Sequence, residues 1–259
     1  MIPTYGEVGF GLVSDLLPLL DYTCTLPHEV IVVDDGSDEC DELEKTCLTN
    51  GASFVHLDQN SGFAKAVNAG ISKSVGDIVM ITNNDIIPIR RTFDSLYHFH
   101  LYSNAGIVGC KLLYPDNRIQ HAGVTYVEPP KDGGLKNGWF DHYRRFWARY
   151  GSDVDAIAFR PCTGALLSIS SPLIDAIGML DERFSLAAED VDYNLRAMEA
   201  GFPVLYNGQI EAYHMEGVTR GNTIEGKAEH PEWTEKEAKS LEALFDKWHG
   251  FNWDNLRAS

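Results

Sequence analysis

No apolar stretch in this chain approaches the ~18–20 residues needed to cross a bilayer, which removes a spanning helix from the candidate classes. The opening residues, Met1-Ile2-Pro3-Thr4-Tyr5, show neither the basic nor the apolar region of a signal peptide. The expectation is a soluble cytoplasmic protein whose contact with a membrane, if any, is peripheral. Positive charge is also scarce: 21 Lys and Arg face 38 Asp and Glu, a net charge of −17 over 259 residues. A field of that sign opposes non-specific attraction to nucleic acid or anionic lipid, so no nucleic-acid partner is expected. One local exception stands out. Lys111, Arg118, Lys131, Lys136, Arg144, Arg145 and Arg149 lie close together and either face an anionic acceptor or form a solvated face. The five cysteines are odd in number and lack C-x-x-C spacing, which argues against a disulfide framework and against a zinc site. Internal repeats and long linkers are absent too.

What remains is an alternation of strand and helix signals. Val30–Val33 is a β-branched run that ends in Asp34-Asp35-Gly36. A helix is expected over Glu39–Asn50, closed by Gly51, then a strand over Ser53–Leu57, a helix over Gly62–Ser74 and a strand over Asp77–Thr82. Strands separated by helices of this length imply right-handed crossovers and a mostly parallel sheet flanked by helices, an α/β fold. Further on, strand signals cover Ala105–Cys110, Ile119–Val127, Thr163–Ile169 and Val204–Tyr206, with helices from Ser171 and over Glu189–Ala200. The tail from Trp233 to Trp248 again has helical periodicity. The aromatics Phe140, Tyr143, Phe146 and Trp147 either stack on sugar faces or pack into the core.

Four short acidic or glycine-containing segments carry the chemistry. An open α/β sheet binds ligands at the carboxyl ends of its strands, and Asp34 and Asp35 sit at such an end. A carboxylate there accepts hydrogen bonds from a base or a ribose, although Asp-Gly-Ser is also ordinary turn chemistry. Asn60-Ser61-Gly62 precedes a helix, so Asn60 or Ser61 is a candidate N-cap and the local N–H groups a candidate anion cradle. Asn83-Asn84-Asp85 ends an apolar strand and places Asp85 where a Mg²⁺ or Mn²⁺ ion bridging two phosphates would sit. Glu189-Asp190-Val191-Asp192 opens a helix, a position that favours acids for electrostatic reasons alone, yet Asp190 is also a candidate general base. His214 ends a short strand as a candidate metal ligand, and Arg220 suits a departing diphosphate.

Together these residues resemble the family 2 inverting glycosyltransferases of GT-A fold, from Ile2 to about Gly221. The match is carried further by Leu112-Leu113-Tyr114-Pro115-Asp116, Ile119-Gln120-His121-Ala122-Gly123, Leu180-Asp181-Glu182-Arg183-Phe184 and His214-Met215-Glu216-Gly217, which look most similar to the rhamnosyltransferase-like branch. The resemblance implies a GT-A domain over 1–225, with a nucleotide-binding half to about 110, an acceptor and catalytic half beyond it, and a helical extension over 226–259. It implies that Pro3, Thr4, Tyr5, Asp35, Asn60, Gly62, Phe63, Asn68, Asn84, Gly164 and Arg220 surround the donor. Asp85 and His214 would hold a divalent cation, Mn²⁺ or Mg²⁺. Asp190 would be the base, with Glu189 beside it. The substrates implied are a nucleoside-diphosphate sugar, dTDP-rhamnose or a UDP-hexose, and a hydroxyl of a glycan or glycoconjugate. Two departures stand out: Asn83 replaces the first acid of the Asp-x-Asp motif, and Gly6 replaces the usual Asn. A nucleotidyltransferase would want a basic glycine loop, and Gly6–Gly11 holds no Lys or Arg. A non-catalytic binding module would be expected to have lost Asp85, Asp190 or His214, and all three are present.

Overall fold

A computed structural model describes residues 1–89, 91–129, 138–184, 186–217 and 231–257. In chain order the elements are β1 (Ile2–Thr4), α1 (Gly6–Thr23), β2 (Ile31–Asp34), α2 (Asp41–Thr49), β3 (Ser53–His56), α3 (Phe63–Ile71), β4 (Ile78–Thr82), β5 (Ile86–Pro88), α4 (Thr92–Ser103) and β6 (Ile107–Leu113). They continue with β7 (Ile119–His121), β8 (Val124–Val127), β9 (Trp139–His142), β10 (Ile157–Phe159), β11 (Leu166–Ser170), α5 (Ser171–Ile177), α6 (Glu189–Glu199), β12 (Val204–His214) and α7 (Pro231–Lys247). The helix α1 was not singled out by sequence pattern. Its apolar residues Val13, Leu16, Leu17 and Leu20 are buried against the sheet, and Pro18 is tolerated inside it.

The sheet is parallel where the first half builds it. β1 pairs with β2 and β2 with β3, all parallel, and all four residues of β2 are buried because helices cover both faces. The Met1 amino group donates to the Met80 carbonyl at 2.8 Å and the Thr82 N–H to the Met1 carbonyl at 3.1 Å, which joins β1 to β4. Beyond β4 the expectation of a mostly parallel sheet needs correction. β11 runs antiparallel to both β4 and β6, and β12 runs parallel to β6. Antiparallel pairing needs no crossover helix: β7 returns directly on β6, while β11 comes back from far along the chain to lie between β4 and β6.

Two apolar layers sandwich the sheet. α1, α2 and α4 contribute Leu16, Leu43 and Leu96 to one, while α3, α5 and α6 contribute Val67, Leu173 and Tyr193 to the other. A smaller cluster seats the tail: Leu244 and Leu256 pack with Val124, Phe184, Val191 and Leu195. This sorts the aromatic segment. Phe140 joins the tail cluster against Phe245 and Trp253, and Tyr143 is buried, whereas Phe146 and Trp147 are exposed.

Candidate active site

The carboxyl ends of β1, β2 and β4 and the loops after them meet at one edge. Asp34 is fully buried and serves local structure, since it accepts from the Ser37 N–H and hydroxyl at 3.1 and 2.6 Å. Ser37 in turn accepts from the Gly6 N–H at 2.9 Å, which ties the β1–α1 turn to the β2–α2 loop. Asp35 accepts from the Ser61 and Gly62 N–H groups, each at 2.8 Å. Burial raises the Asp35 pKa, against the lowering by those two donors. The candidate cap and anion cradle at Asn60–Gly62 therefore read differently in three dimensions. Gly62 holds the N-cap position of α3, no side chain caps it, and the nearby N–H groups of Ser61 and Gly62 are committed to Asp35. The two loops touch closely: a Cβ on Gly36 would lie 2.2 Å from the Gln59 carbonyl carbon, and Gly36 has φ +78°. Thr4 accepts from the Asn84 amide at 2.9 Å, which links β1 to the segment bearing Asp85. Pro3 lies within β1, Tyr5 is exposed at the N-cap of α1, and Asn60 is exposed.

Asp85 and His214 form the second part. His214 Nδ1 lies 2.6 Å from Gln120 Oε1, and the Gln120 amide nitrogen donates to the His214 carbonyl and to Glu216 at 3.2 and 3.3 Å. Those two donations orient the amide, so its oxygen faces the ring and Nδ1 carries the proton. Nε2 is then an acceptor, reached by the Asn83 amide nitrogen at a long 3.4 Å and lying 3.1 Å from Asp85 Oδ1. That oxygen is buried without a hydrogen bond. Two lone-pair atoms in such contact repel each other unless a metal cation or a second ring proton sits between them, and a buried acceptor left unmade costs about 1–3 kcal/mol. An imidazole whose distal N–H is fixed by an amide oxygen is the arrangement that metal-ligating histidines use. The donor set, one carboxylate and one imidazole, suits Mn²⁺.

Asp190 completes the edge. It is half-buried in the first turn of α6, and its oxygens accept from the Gly164 and Val191 N–H groups at 2.9 and 2.7 Å. Gly164 packs closely: a Cβ there would press on the Phe63 ring at 3.3 Å and touch Asp190 Cβ at 3.5 Å. The Asn83 N–H donates to the Ala165 carbonyl at 2.8 Å, so the Asp85 segment and the Gly164 loop are hydrogen-bonded neighbours. Glu189 is buried at the first position of α6. Behind this loop His121 and His142 bring their Nδ1 atoms within 2.7 Å, and the Thr163 N–H approaches His121 Nε2 at 3.5 Å. Burial lowers the pKa of both rings, so one neutral ring donates to the other.

With this geometry in place, comparison with known proteins is decisive on family. Residues 1–154 match the model described as glycosyl transferase family 2. The chain belongs to glycosyl transferase family 2. It is 31% identical over 235 residues to an uncharacterized protein, y4gI, of Sinorhizobium fredii, covering 83% of this chain and 25% of that one. The O-antigen biosynthesis protein RfbC of Myxococcus xanthus is 27% identical over 60% of this chain and 12% of its own length. The low-salt glycan biosynthesis hexosyltransferase Agl10 of Haloferax volcanii is 24% identical over 73% of this chain and 60% of its own. The family 2 domain therefore spans a quarter or less of the first two relatives. Among solved structures, a mannosyltransferase of Pyrobaculum calidifontis in complex with GDP-Man and Mn²⁺ superposes with TM-score 0.56 and 20% identity, over 83% of this chain and 55% of that one. GalNAc-T7 with UDP, GalNAc and Mn²⁺ gives TM-score 0.63 at 13% identity, over 82% of this chain and 42% of that one. The fold of this family 2 domain is GT-A.

The folded domain adds partners to two of the sequence readings. Asn68 donates its amide to the Leu180 carbonyl and to Glu182, each at 2.9 Å, and accepts from the Leu180 N–H at 3.0 Å, so it anchors the loop before α6. The basic group is neutralised. Lys111 is buried against Asp155 and Glu211, Arg149 pairs with Glu211, Arg144 with Asp153, Arg145 with Glu216 and Arg118 with Asp116. Lys131, Lys136 and Arg220 lie outside the described residues. Gln120, His142 and Asn194 escaped notice as supporting residues. Asn194 had a readable signal, since it sits four residues after Asp190 on α6 and clamps both the N–H and carbonyl of Cys162. Gln120 lies 94 residues from His214, and no spacing links them.

Proposed function

We propose that this family 2 domain is an inverting, metal-dependent hexosyltransferase, moving a sugar from a nucleoside diphosphate to a hydroxyl of a glycan or glycoconjugate. The observation that carries the reading is the 3.1 Å contact of His214 Nε2, whose other neighbour is the Asn83 amide at 3.4 Å, with the unbonded Asp85 Oδ1, beside Asp190. A cation held by Asp85 and His214 would supply positive charge to a departing diphosphate. Thr4, Tyr5 and Asp35 would meet the nucleoside, with Phe63 and Gly164 against the donor sugar. Asp190, held by the Gly164 N–H, would take the proton of the acceptor hydroxyl as that oxygen attacks the anomeric carbon from the face opposite the leaving group. The GDP-Man and UDP complexes of the structural neighbours support a nucleotide-sugar donor, and the O-antigen biosynthesis protein RfbC supports a glycan product. The rhamnosyltransferase-like branch rests on the sequence resemblance alone. dTDP-rhamnose and UDP-hexoses are the favoured donors. The N-terminal half, about 1–110, would serve the nucleotide, 111–225 the acceptor, and 226–259 would extend the domain in a cytoplasmic enzyme.

The test is calorimetric titration of UDP, dTDP, GDP and CDP, each with Mn²⁺ and with EDTA. Tight, metal-dependent binding of one nucleotide is the expected outcome; a folded protein that binds none sinks the reading. Asp190→Asn should abolish transfer while nucleotide affinity changes less than about twofold, because the carboxylate acts on the acceptor. Equal loss of binding and transfer would remove Asp190 from the base role.

A further inference from the structure

Apart from the Asp85–His214 pair, a second cluster of donor atoms lies at the outer end of β2. Asp34, Cys40 and His56 each offer one ligand atom, and the three lie within 4.8 Å of one another. They come from three elements: the last residue of β2, the residue preceding α2 and the last residue of β3. His56 Nδ1 is the shared centre, 2.7 Å from Asp34 Oδ2 and 3.5 Å from Cys40 Sγ. A nucleophilic triad needs its acid and its thiol on opposite nitrogens of the imidazole. Here both face the same nitrogen, so proton relay is excluded and convergence on one point remains.

We propose that Asp34, Cys40 and His56 form a site for a zinc-class divalent cation, distinct from the Asp85–His214 site. Bonds of about 2.0 Å to nitrogen and about 2.3 Å to sulfur at a tetrahedral angle set an N···S edge of about 3.5 Å. The observed N···S distance is 3.5 Å. The nitrogen–oxygen edge must open from 2.7 Å by about half an ångström for the same geometry. The His56 side chain, 40% exposed, is free to make that move. Burial falls from Asp34 through Cys40 to His56, which leaves a solvent path for the ion and a fourth position for water. Burial and the nearby Asp34, Asp41 and Glu44 carboxylates raise the Cys40 thiol pKa; the same negative charge attracts a cation, which on binding displaces the thiol proton to solvent. The lack of C-x-x-C spacing hid this site, because its ligands are brought together by parallel strand pairing between Asp34 and His56. A cation there cross-links the loop that carries Ser37, and so stiffens the β1–α1 turn that Ser37 holds through the Gly6 N–H.

Cobalt titration of the reduced full-length protein tests this. One Co²⁺ per chain should give a sulfur-to-cobalt charge-transfer band that Zn²⁺ displaces. Cys40→Ser should abolish the band, and His56→Ala should weaken zinc affinity about tenfold or more against a chromophoric chelator. Both side chains are off the apolar core, so circular dichroism should stay unchanged. The double variant Asp85→Ala/His214→Ala should keep the band, which separates this site from the proposed catalytic cation. Folded wild-type protein with no band, a band that survives Cys40→Ser, or a band lost in the folded double variant each overturns the proposal.

Discussion

His214 reads in the sequence as a lone histidine at a strand end, and such residues are ordinary surface or structural groups. What makes it a candidate ligand is its tautomer, and the tautomer is set by Gln120 Oε1 at 2.6 Å from Nδ1. Gln120→Leu removes that acceptor and frees the ring to carry its proton on Nε2. The expected outcome is a loss of about 10–100-fold in Mn²⁺ affinity, measured by calorimetry in the presence of the cognate nucleotide, with the thermal midpoint little changed. Unchanged Mn²⁺ affinity would return His214 to a structural role. Asp35 shows the opposite case. Its place at a strand end was legible, but its two N–H partners on Ser61 and Gly62 come from a loop 26 and 27 residues away.

At the scale of elements, the β2–α2 loop and the turn before α3 are held at backbone contact by Gly36. Its φ of +78° and the 2.2 Å approach of Gln59 to a would-be Cβ exclude any side chain. Gly36→Ala should cost on the order of 1–3 kcal/mol in denaturant unfolding and weaken nucleotide binding, because the loops must part. The tail helix α7 docks through charge as well as apolar packing. Asp192 is fully buried and receives Arg196 at 2.9 Å, the Trp248 indole N–H at 2.8 Å and Lys247 at 2.7 Å. The i,i+4 pair with Arg196 is readable from spacing, whereas the 56-residue reach to Trp248 is not. Asp192→Ala should destabilise by about 1–3 kcal/mol and expose α7 to limited proteolysis, since it leaves the Trp248 N–H unpaired and takes the carboxylate from Arg196, while Lys247 keeps Asp181 at 2.8 Å. A midpoint within error of wild type would show that apolar contacts alone seat the tail.

The whole molecule carries buried neutral histidines, and these govern its acid limit. Burial lowers the His100 pKa from 6.5 to about 4, and lowers His121 and His142 as well. The unfolded chain takes up these protons below about pH 6.5 while the folded chain refuses them until lower pH. Between those values the unfolded state binds more protons, so stability rises with pH and is lost as pH falls from about 6.5 toward 4. His100 alone accounts for about 3 kcal/mol across that window. Thermal unfolding followed from pH 7.5 to 4.5 should show the midpoint dropping chiefly below 6.5. His100→Gln, which keeps hydrogen-bonding capacity toward Ser168 and the Ala105 carbonyl, should flatten that slope. A wild-type midpoint that stays level to pH 4.5 would contradict it.

The sequence by itself determined the periodic elements of the first half, because continuous β-branched runs and helical spacing are local properties that burial then rewards. It also determined which residues stand at strand ends, and hence that Asp35 and Asp85 are candidates for one edge, with Asp190 at the start of a helix. Tertiary structure alone decided the mixed direction of the second half of the sheet, as antiparallel β11 between β4 and β6 depends on strand order, which no local pattern encodes. It alone decided that Lys111, Arg145 and Arg149 are paired, since Asp155, Glu211 and Glu216 reach them across the fold. It alone decided which lone pairs face each other at Asp85 and His214, because hydrogen-bond direction is set by partners far away in the chain.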